Sequence, residues 1–242
     1  MFAEERRREI MKLIEKSGSV TVKEISEILN VSPSTVRNDL KHLEKEGLIF
    51  RTHGGAMAKH RFDPMYEKRR SSFSELKMRI AKKAVEFVEE GDVIFVDSGS
   101  TTLMFVEELI RNQIRCNVIT NSLYVINALV DVPHIPVHVI GGEFRKRTMN
   151  FIDPEFTLDK YRIKKAFMGI SGFDAEGTYV SNLVEARFKR MIMDISKEVF
   201  VLADSSKYEK ISAILIRKWK EKDVLITDKK LFVKAKIIVS DG

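Results

Sequence analysis

The chain has 242 residues, 44% hydrophobic and 32% charged, which is enough apolar material for two buried cores. No apolar run approaches the roughly 20 residues of a membrane-spanning helix, and the start, Met-Phe-Ala-Glu-Glu, lacks the basic and apolar parts of a secretory signal. The single cysteine, Cys116, excludes an internal disulfide and an intrachain thiolate metal cluster, so the expectation is a cytosolic protein with no membrane partner.

The formal net charge is +7, and its excess lies in the first third. Residues 1–83 hold 19 Lys and Arg against 12 Asp and Glu, whereas residues 84–242 hold 23 of each. This asymmetry fits a nucleic-acid partner for the N-terminal end. A solvated basic surface has the same composition, so the motifs must decide.

Residues 4–16 place Ile10, Leu13 and Ile14 on one side of an amphipathic helix, which Gly18 ends. Thr21 opens a second helix, and Glu24 completes a capping box with it. The expected buried face of that helix is Ile25, Ile28 and Leu29. Asn30 and Val31 turn the chain, Ser32 is an N-cap and Pro33 suits the first helical position. The third helix buries Val36, Leu40 and Leu43 and stops at Gly47. Two helices joined by so short a turn form a helix-turn-helix pattern.

The exposed side of the third helix carries Ser34, Thr35, Arg37, Asn38 and Lys41, after Ser32. These residue types reach base edges and phosphates from a helix in the major groove. Residues 48–56 read as a small β-ribbon, or wing, that brings Arg51 and His53 to the DNA backbone. Asp39 would repel phosphate, so it is expected to orient Arg37 or to cap locally. The other reading of this third of the chain is a three-helix protein-interaction module.

At residues 6–57 the chain resembles the winged helix-turn-helix of the DeoR family of regulators. The resemblance is carried by Arg7-Arg8, Ile10, residues 21–29, Val31-Ser32, residues 35–40, Leu43, Gly47 and the run Arg51-Thr52-His53-Gly54-Gly55-Ala56. It implies double-stranded operator DNA as partner. Residues 1–57 are thus assigned to a DNA-binding domain. Residues 58–74, polar, basic and containing Pro64, are assigned to a linker, with a short helix at residues 66–70 as an option.

From residue 75 to the end, helical and strand patterns alternate. Residues 75–90 form an amphipathic helix with Ile80, Ala84, Phe87 and Val88 on one side. Continuous apolar runs at residues 93–96, 117–120, 137–140, 166–170, 199–203, 224–227 and 236–239 read as strands buried on both faces. This is an α/β domain with a largely parallel sheet.

Ligands of such sheets bind beyond the carboxyl ends of the strands, and each polar motif falls at such an end. Asp97-Ser98-Gly99-Ser100-Thr101-Thr102 suits an anion at a helix N-terminus, or an ordinary helix cap. Asn121-Ser122 is a cap or a second ligand contact. In Gly141-Gly142 with Arg145, the backbone comes close to a ligand and the guanidinium holds an anion, or the motif is a surface turn. Gly172 with Glu185, and Asp204 with Lys207, complete the set; Asn182 and Glu185 also fit a capping box. The helix after Asn182 is expected to bury Val184, Phe188, Met191, Ile192 and Ile195.

Residues 75–228 resemble the DeoR-type sensor domain, which is itself similar to sugar-phosphate isomerases of the ribose-5-phosphate isomerase type. The matching residues are the six from Asp97 to Thr102, Asn121-Ser122-Leu123, Gly141-Gly142, Arg145, Gly169, Gly172, Gly177, Glu185, Met191, Asp204, Ser206-Lys207 and Ile226-Thr227-Asp228. The resemblance implies a phosphorylated sugar as effector, a homo-oligomer (dimer or tetramer) and a repressor of a sugar or related catabolic operon. It implies neither a cofactor nor catalysis. Asp153, where the family often has glycine before Pro154, and Tyr208, where phenylalanine is usual, depart from the pattern.

Two other function classes compete with this reading. In a sugar-phosphate isomerase carrying a DNA-binding head, Glu185 is the general base and Lys207 its electrophilic partner. A metal sensor would need grouped ligands. The histidines His42, His53, His60, His134 and His138 show no such spacing, and Pro133 and Pro136 prevent a regular helix around His134 and His138.

Overall fold

In the computed structural model the described residues are 2–17, 19–46, 48–52, 54–58, 72–153, 161–210, 212 and 214–240. The chain divides into two units, Met1–Glu67 and Lys68–Gly242. The expected stops at Gly18 and Gly47, the contact at His53 and nearly all of the linker lie outside the described residues.

The first unit begins with α1 (Ala3–Ser17), β1 (Ser19–Thr21), α2 (Val22–Leu29) and α3 (Pro33–Lys45). It closes with β2 (Ile49–Thr52) and β3 (Gly55–Ala58), which pair antiparallel with Arg51 opposite Ala56. β1 adds to the other edge of β3, so the wing is a three-stranded sheet ordered β1-β3-β2. Ile10, Ile14, Ile25, Val36, Leu40, Leu43 and Ile49 form one closed apolar core. The expected capping box forms: the Thr21 side chain accepts from the Glu24 amide at 3.1 Å, and the Glu24 carboxylate accepts from the Thr21 amide at 2.7 Å. These bonds hold the Glu24 carboxyl below its ordinary pKa.

Ile28 departs from the expected buried face, being 58% exposed. α2 has only two turns, and its inward line runs Val22, Ile25, Leu29. At 3.6 residues per turn Val22 and Leu29 fall on one side of Ile25, whereas Ile28 falls about 60° to its other side, which is enough to leave this narrow contact.

The second unit contains α4 (Ser74–Val85), β4 (Val93–Val96), α5 (Ser100–Arg111), β5 (Asn117–Thr120), α6 (Leu123–Leu129) and β6 (Val137–Val139). A hairpin follows, of β7 (Glu143–Arg145) and β8 (Asn150–Ile152). Next come β9 (Lys165–Met168), β10 (Gly172–Phe173), β11 (Gly177–Val180), α7 (Leu183–Ile195) and β12 (Glu198–Leu202). The described elements close with β13 (Ile214–Lys218), β14 (Asp223–Thr227) and β15 (Lys236–Val239). α4 stops earlier than its periodicity suggests, because the Phe87 and Val88 amides turn back to the carbonyls of Ala84 and Val85. The Asp92 carboxylate also takes the Glu89 amide at 3.0 Å.

Seven strands form a parallel sheet ordered β15-β14-β12-β9-β4-β5-β6. All seven are the strands expected from the apolar runs. Phe167 and Phe200 stack on one face at 5.0 Å, where Phe105 of α5 and Phe87 after α4 cover them. On the other face Phe95 meets Phe188 of α7 at 6.1 Å. Helices on both faces explain why the strands are apolar throughout and do not alternate. Beside this sheet stands a small antiparallel one, β10-β11-β13, which the sequence analysis did not anticipate.

The chain builds outward in one direction from β4 to β6 and in the other from β9 to β15. The reversal lies between β4 and β9, where the loops leaving neighbouring strands part to opposite sides of the sheet and open a crevice at the strands' carboxyl ends.

Candidate functional site

A cleft of about 130 Å³ opens at that reversal, lined by residues from five places in the chain. Ser98, Gly99, Ser100 and Thr101 come from the turn into α5, and Gly169, Ile170 and Ser171 follow β9. Val180, Ser181, Glu185 and Lys189 lead into and along α7. Arg147 and Thr148 come from the β7–β8 hairpin, and Lys207 from the turn after β12.

α5 starts without a side-chain cap, because Gly99 stands at its N-cap position. The positive end of the helix therefore faces the cleft with no built-in acceptor from the cap residue. Thr102 braces the turn from behind, its hydroxyl donating to the carbonyls of Asp97 and Gly99 at 2.6 and 3.0 Å. The Ser98 hydroxyl accepts from Asn150 Nδ2 at 2.8 Å, which ties the hairpin to the same turn. Thr101 is 2% exposed, and its Oγ1 has no hydrogen-bond partner.

Under the cleft, Lys189 Nζ donates to the Asp97 carboxylate and to the Gly169 carbonyl, the latter at 3.0 Å. The same Asp97 oxygen accepts the Gly169 amide at 2.9 Å. Asp97 thus joins β4, β9 and α7 from a buried position. Lys207 Nζ donates to the Ile170 carbonyl at 2.9 Å. Asn182 caps α7 by accepting from the amides of Val184 and Glu185 at 2.9 and 3.1 Å, and this aims the first turn, with Glu185, at the cleft.

Of the residues expected to bind an effector, Ser98, Gly99, Ser100, Thr101, Glu185 and Lys207 line the cleft. Asp97 and Thr102 lie just behind its lining and do structural work. Asn121 is buried and donates to the Phe151 carbonyl at 3.0 Å, while Ser122 caps α6. Gly141, Gly142 and Arg145 lead into and form the first strand of the hairpin, outside the lining. Gly142 is glycine for a steric reason: its φ is +125°, and a Cβ would come within 2.4 Å of the Asp153 amide nitrogen. A Cβ on Gly172 would meet the Lys210 carbonyl at 1.6 Å, so that glycine serves backbone packing. Asp204 caps the turn that carries Lys207, accepting the Ser206 amide at 3.1 Å.

Arg147, Thr148 and Lys189 also line the cleft, and nothing marks them locally in the sequence. The first two reach it on a hairpin tied to the turn before α5 by the Asn150–Ser98 bond, and Lys189 reaches it because it lies one turn after Glu185. The apolar face of α7 is narrower than its sequence suggests. Met191 and Ile195 are 36% and 41% exposed. The inward side of the helix is shared by Glu185, Ala186, Phe188, Lys189, Ile192 and Met193, and that width turns Met191 and Ile195 outward.

In the first unit, Ser32 caps α3 by accepting the Thr35 amide at 3.2 Å, and its hydroxyl also meets those of Ser34 and Thr35. Ser34, Arg37, Asn38 and Lys41 are exposed along α3, and Thr35 is half-buried. Arg37 and the start of α3 border a shallow groove with α2 and Gly54 of the wing turn. Arg51 is exposed and lies 3.5 Å from Glu44. Asp39 does not meet Arg37 as expected. It points inward, 3% exposed, and accepts from Arg6 Nε at 2.5 Å and Arg7 Nε at 3.2 Å. The carboxylate raises the Arg6 pKa further above its ordinary value.

Among the described residues, no group of three or more His, Cys, Asp or Glu is placed to hold a metal ion, and no helix is long and apolar enough to cross a membrane.

Residues 6–62 match the DeoR-like helix-turn-helix domain, and residues 72–229 match the DeoR C terminal sensor domain. The chain is 37% identical to the lactose phosphotransferase system repressor of Streptococcus mutans, over 94% of this chain and 93% of that one. It is 32% identical to a putative aga operon transcriptional repressor of Escherichia coli O157:H7, over 93% and 86%. Ribose 5 phosphate isomerase A from Neisseria gonorrhoeae is similar at 23% identity and a TM-score of 0.43, over 57% of this chain and 54% of that one. Two matched domains, spanning most of the sequence, and relatives of nearly equal length lead to one conclusion: the chain belongs to the DeoR family of DNA-binding transcription regulators.

Proposed function

We propose that this regulator represses a sugar-utilisation operon and that a phosphorylated sugar bound in the cleft releases it from DNA. The observation that carries the effector half is Thr101: a buried hydroxyl without a partner, in the first turn of an uncapped helix, within a cleft that also holds Arg147 and Lys207. A buried hydroxyl left unpaired costs about 1–3 kcal/mol, and a phosphate oxygen at the helix N-terminus would recover it. Two relatives named as repressors of sugar systems support the regulatory half.

On DNA, Ser32, Ser34, Thr35, Arg37, Asn38 and Lys41 act from α3, and Arg51 and His53 from the wing. The active species is a homo-oligomer in the cytosol, whose paired heads meet half-sites about one helical turn apart. Effector binding favours a state with weaker operator affinity; only such a difference in affinity shifts the balance.

The test is a thermal-shift screen of sugar phosphates, each paired with its unphosphorylated parent, followed by operator titration with every hit. A ligand at 100 times its Kd stabilises by about 2.7 kcal/mol. Stabilisation by a phosphate but not by its parent, together with loss of operator binding, is the expected result. Stabilisation without loss of operator binding would refute release. An Arg37→Ala variant should lose about 1–3 kcal/mol of operator affinity.

A catalytic reading has one observation in its favour: Glu185 and Lys207 line the same cleft. Glu185-dependent exchange of substrate protons with solvent would establish it.

A further inference from the structure

The cleft contains a feature that a simple anion site does not need. Glu185 is 8% exposed and lines it. Among the described residues its carboxylate has no hydrogen-bond or ion-pair partner; only its amide is engaged, with Asn182. The nearest cation on the cleft-facing side of the helix, Lys189, is one turn away, but it is held by Asp97 and the Gly169 carbonyl. Glu185 therefore presents to the ligand space a carboxylate to which the described residues supply no donor, and which is hydrated only through the cleft. A ligand that displaces this water must bring a donor of its own, because a carboxylate stripped of hydrogen bonds is costly.

Resting on the phosphate reading above, we propose that Glu185 sets the effector class: a monophosphate ester whose remaining part carries hydroxyl donors and no second negative charge. The two ends of the cleft have opposite demands. The first turn of α5, with Thr101, calls for an acceptor-rich anion, because helix dipole and orphan hydroxyl both favour one. Glu185 calls for a donor and repels an anion, and like charges brought together in a poorly hydrated site are strongly disfavoured. A hydroxylated tail satisfies the carboxylate; a carboxylate or second phosphate in its place leaves two facing anions. Bisphosphates and phosphocarboxylates are therefore selected against by a residue that takes no part in holding the phosphate.

Calorimetry on the full chain tests this with matched probes: inorganic phosphate, glycerol 3-phosphate against 3-phosphoglycerate, and fructose 6-phosphate against fructose 1,6-bisphosphate. In each pair the singly charged-end ester should bind about tenfold or more tightly than its doubly anionic counterpart. In Glu185→Gln, which keeps shape and an acceptor oxygen but removes the charge, that gap should close, chiefly because the doubly anionic ligands bind better. Equal binding within the pairs in the unmodified protein overturns the proposal without reference to any variant. A gap that persists in a Glu185→Gln protein of unchanged circular dichroism and melting temperature also overturns it. If inorganic phosphate and every ester fail to bind, the phosphate reading of the cleft falls, and this inference falls with it.

Discussion

Asp39, on the inward side of α3, accepts a hydrogen bond from Arg6 Nε of α1 at 2.5 Å. The same carboxylate takes Arg7 Nε at 3.2 Å, so one acidic residue binds two consecutive arginines. This fixes the rotation of α3 relative to α1, and with it the direction in which Arg37 and Asn38 point. An Asp39→Ala substitution should destabilise the first unit by about 1–3 kcal/mol, the range for hydrogen bonds to charged groups. Arg6 and Arg7 keep some access to water, so the full cost of a stranded buried charge is not expected. Urea denaturation followed at the helical signal measures the loss. Operator affinity should fall alike for cognate and altered sequences, because helix placement and not base reading is disturbed; a loss confined to one base position would contradict this.

Asp97 and Lys189 form a buried ion pair in the second unit, both nearly inaccessible. Removing one partner of a buried pair costs about 3–5 kcal/mol, whereas replacing both is far milder. Asp97→Asn and Lys189→Met should each destabilise severely, and the double variant should be more stable than the sum of the two losses. A double-mutant cycle on urea midpoints decides; strict additivity would show that the pair is not coupled.

Thr101→Val changes one hydroxyl to a methyl at nearly constant volume. If that hydroxyl awaits a ligand, the unliganded protein should gain up to about 1 kcal/mol, since an unpaired buried group is removed. Affinity for a stabilising phosphate should fall at the same time. Melting temperatures with and without ligand give both numbers, and a variant that loses stability while binding normally would assign the hydroxyl to the fold.

Asp92 lies beneath β4 with Lys164 Nζ at 2.6 Å and Lys165 Nζ at 2.8 Å. Burial pushes its pKa up, but the two lysines and the Glu89 amide outweigh this and hold it below the ordinary value. A folded-state pKa below the unfolded one, about 3.9, gives stability that is complete above the unfolded value and is lost as pH falls through the folded one. Stability should therefore drop below about pH 4, and Asp92→Asn, weaker at neutral pH, should lose less over the same range. Urea midpoints between pH 7 and pH 2 check the sign; equal acid loss in both proteins would remove Asp92 from the account.

Local chemistry made much of this legible in the amino-acid order. Thr21 and Glu24, Asn30, and Ser32 with Pro33 mark helix ends through contacts within a few residues, and apolar runs such as residues 93–96 are continuous because a parallel sheet is covered on both faces. Those signals act over one turn or one strand, so they survive without knowledge of the rest of the chain. The turn into α5 and the positions of Glu185 and Lys207 after their strands were readable for the same reason.

Which of these residues share a space depended on strand order. The cleft exists because β9 lies beside β4, not β6, and only that crossing brings residues 98–101 to Gly169, Lys189 and Lys207. Arg147 enters through a hairpin whose closure rests on Asn150 reaching Ser98, 52 positions away. Likewise Asp39 finds Arg6 across 33 positions and leaves Arg37 to solvent. Sequence by itself determined the helices and wing of the first unit, the seven strands of the parallel sheet and the two domain types, because those rest on short-range hydrogen bonding and apolar periodicity. Tertiary structure alone decided which charges are paired and which face the ligand, because pairing between distant residues is set by the packing of whole elements and leaves no local trace.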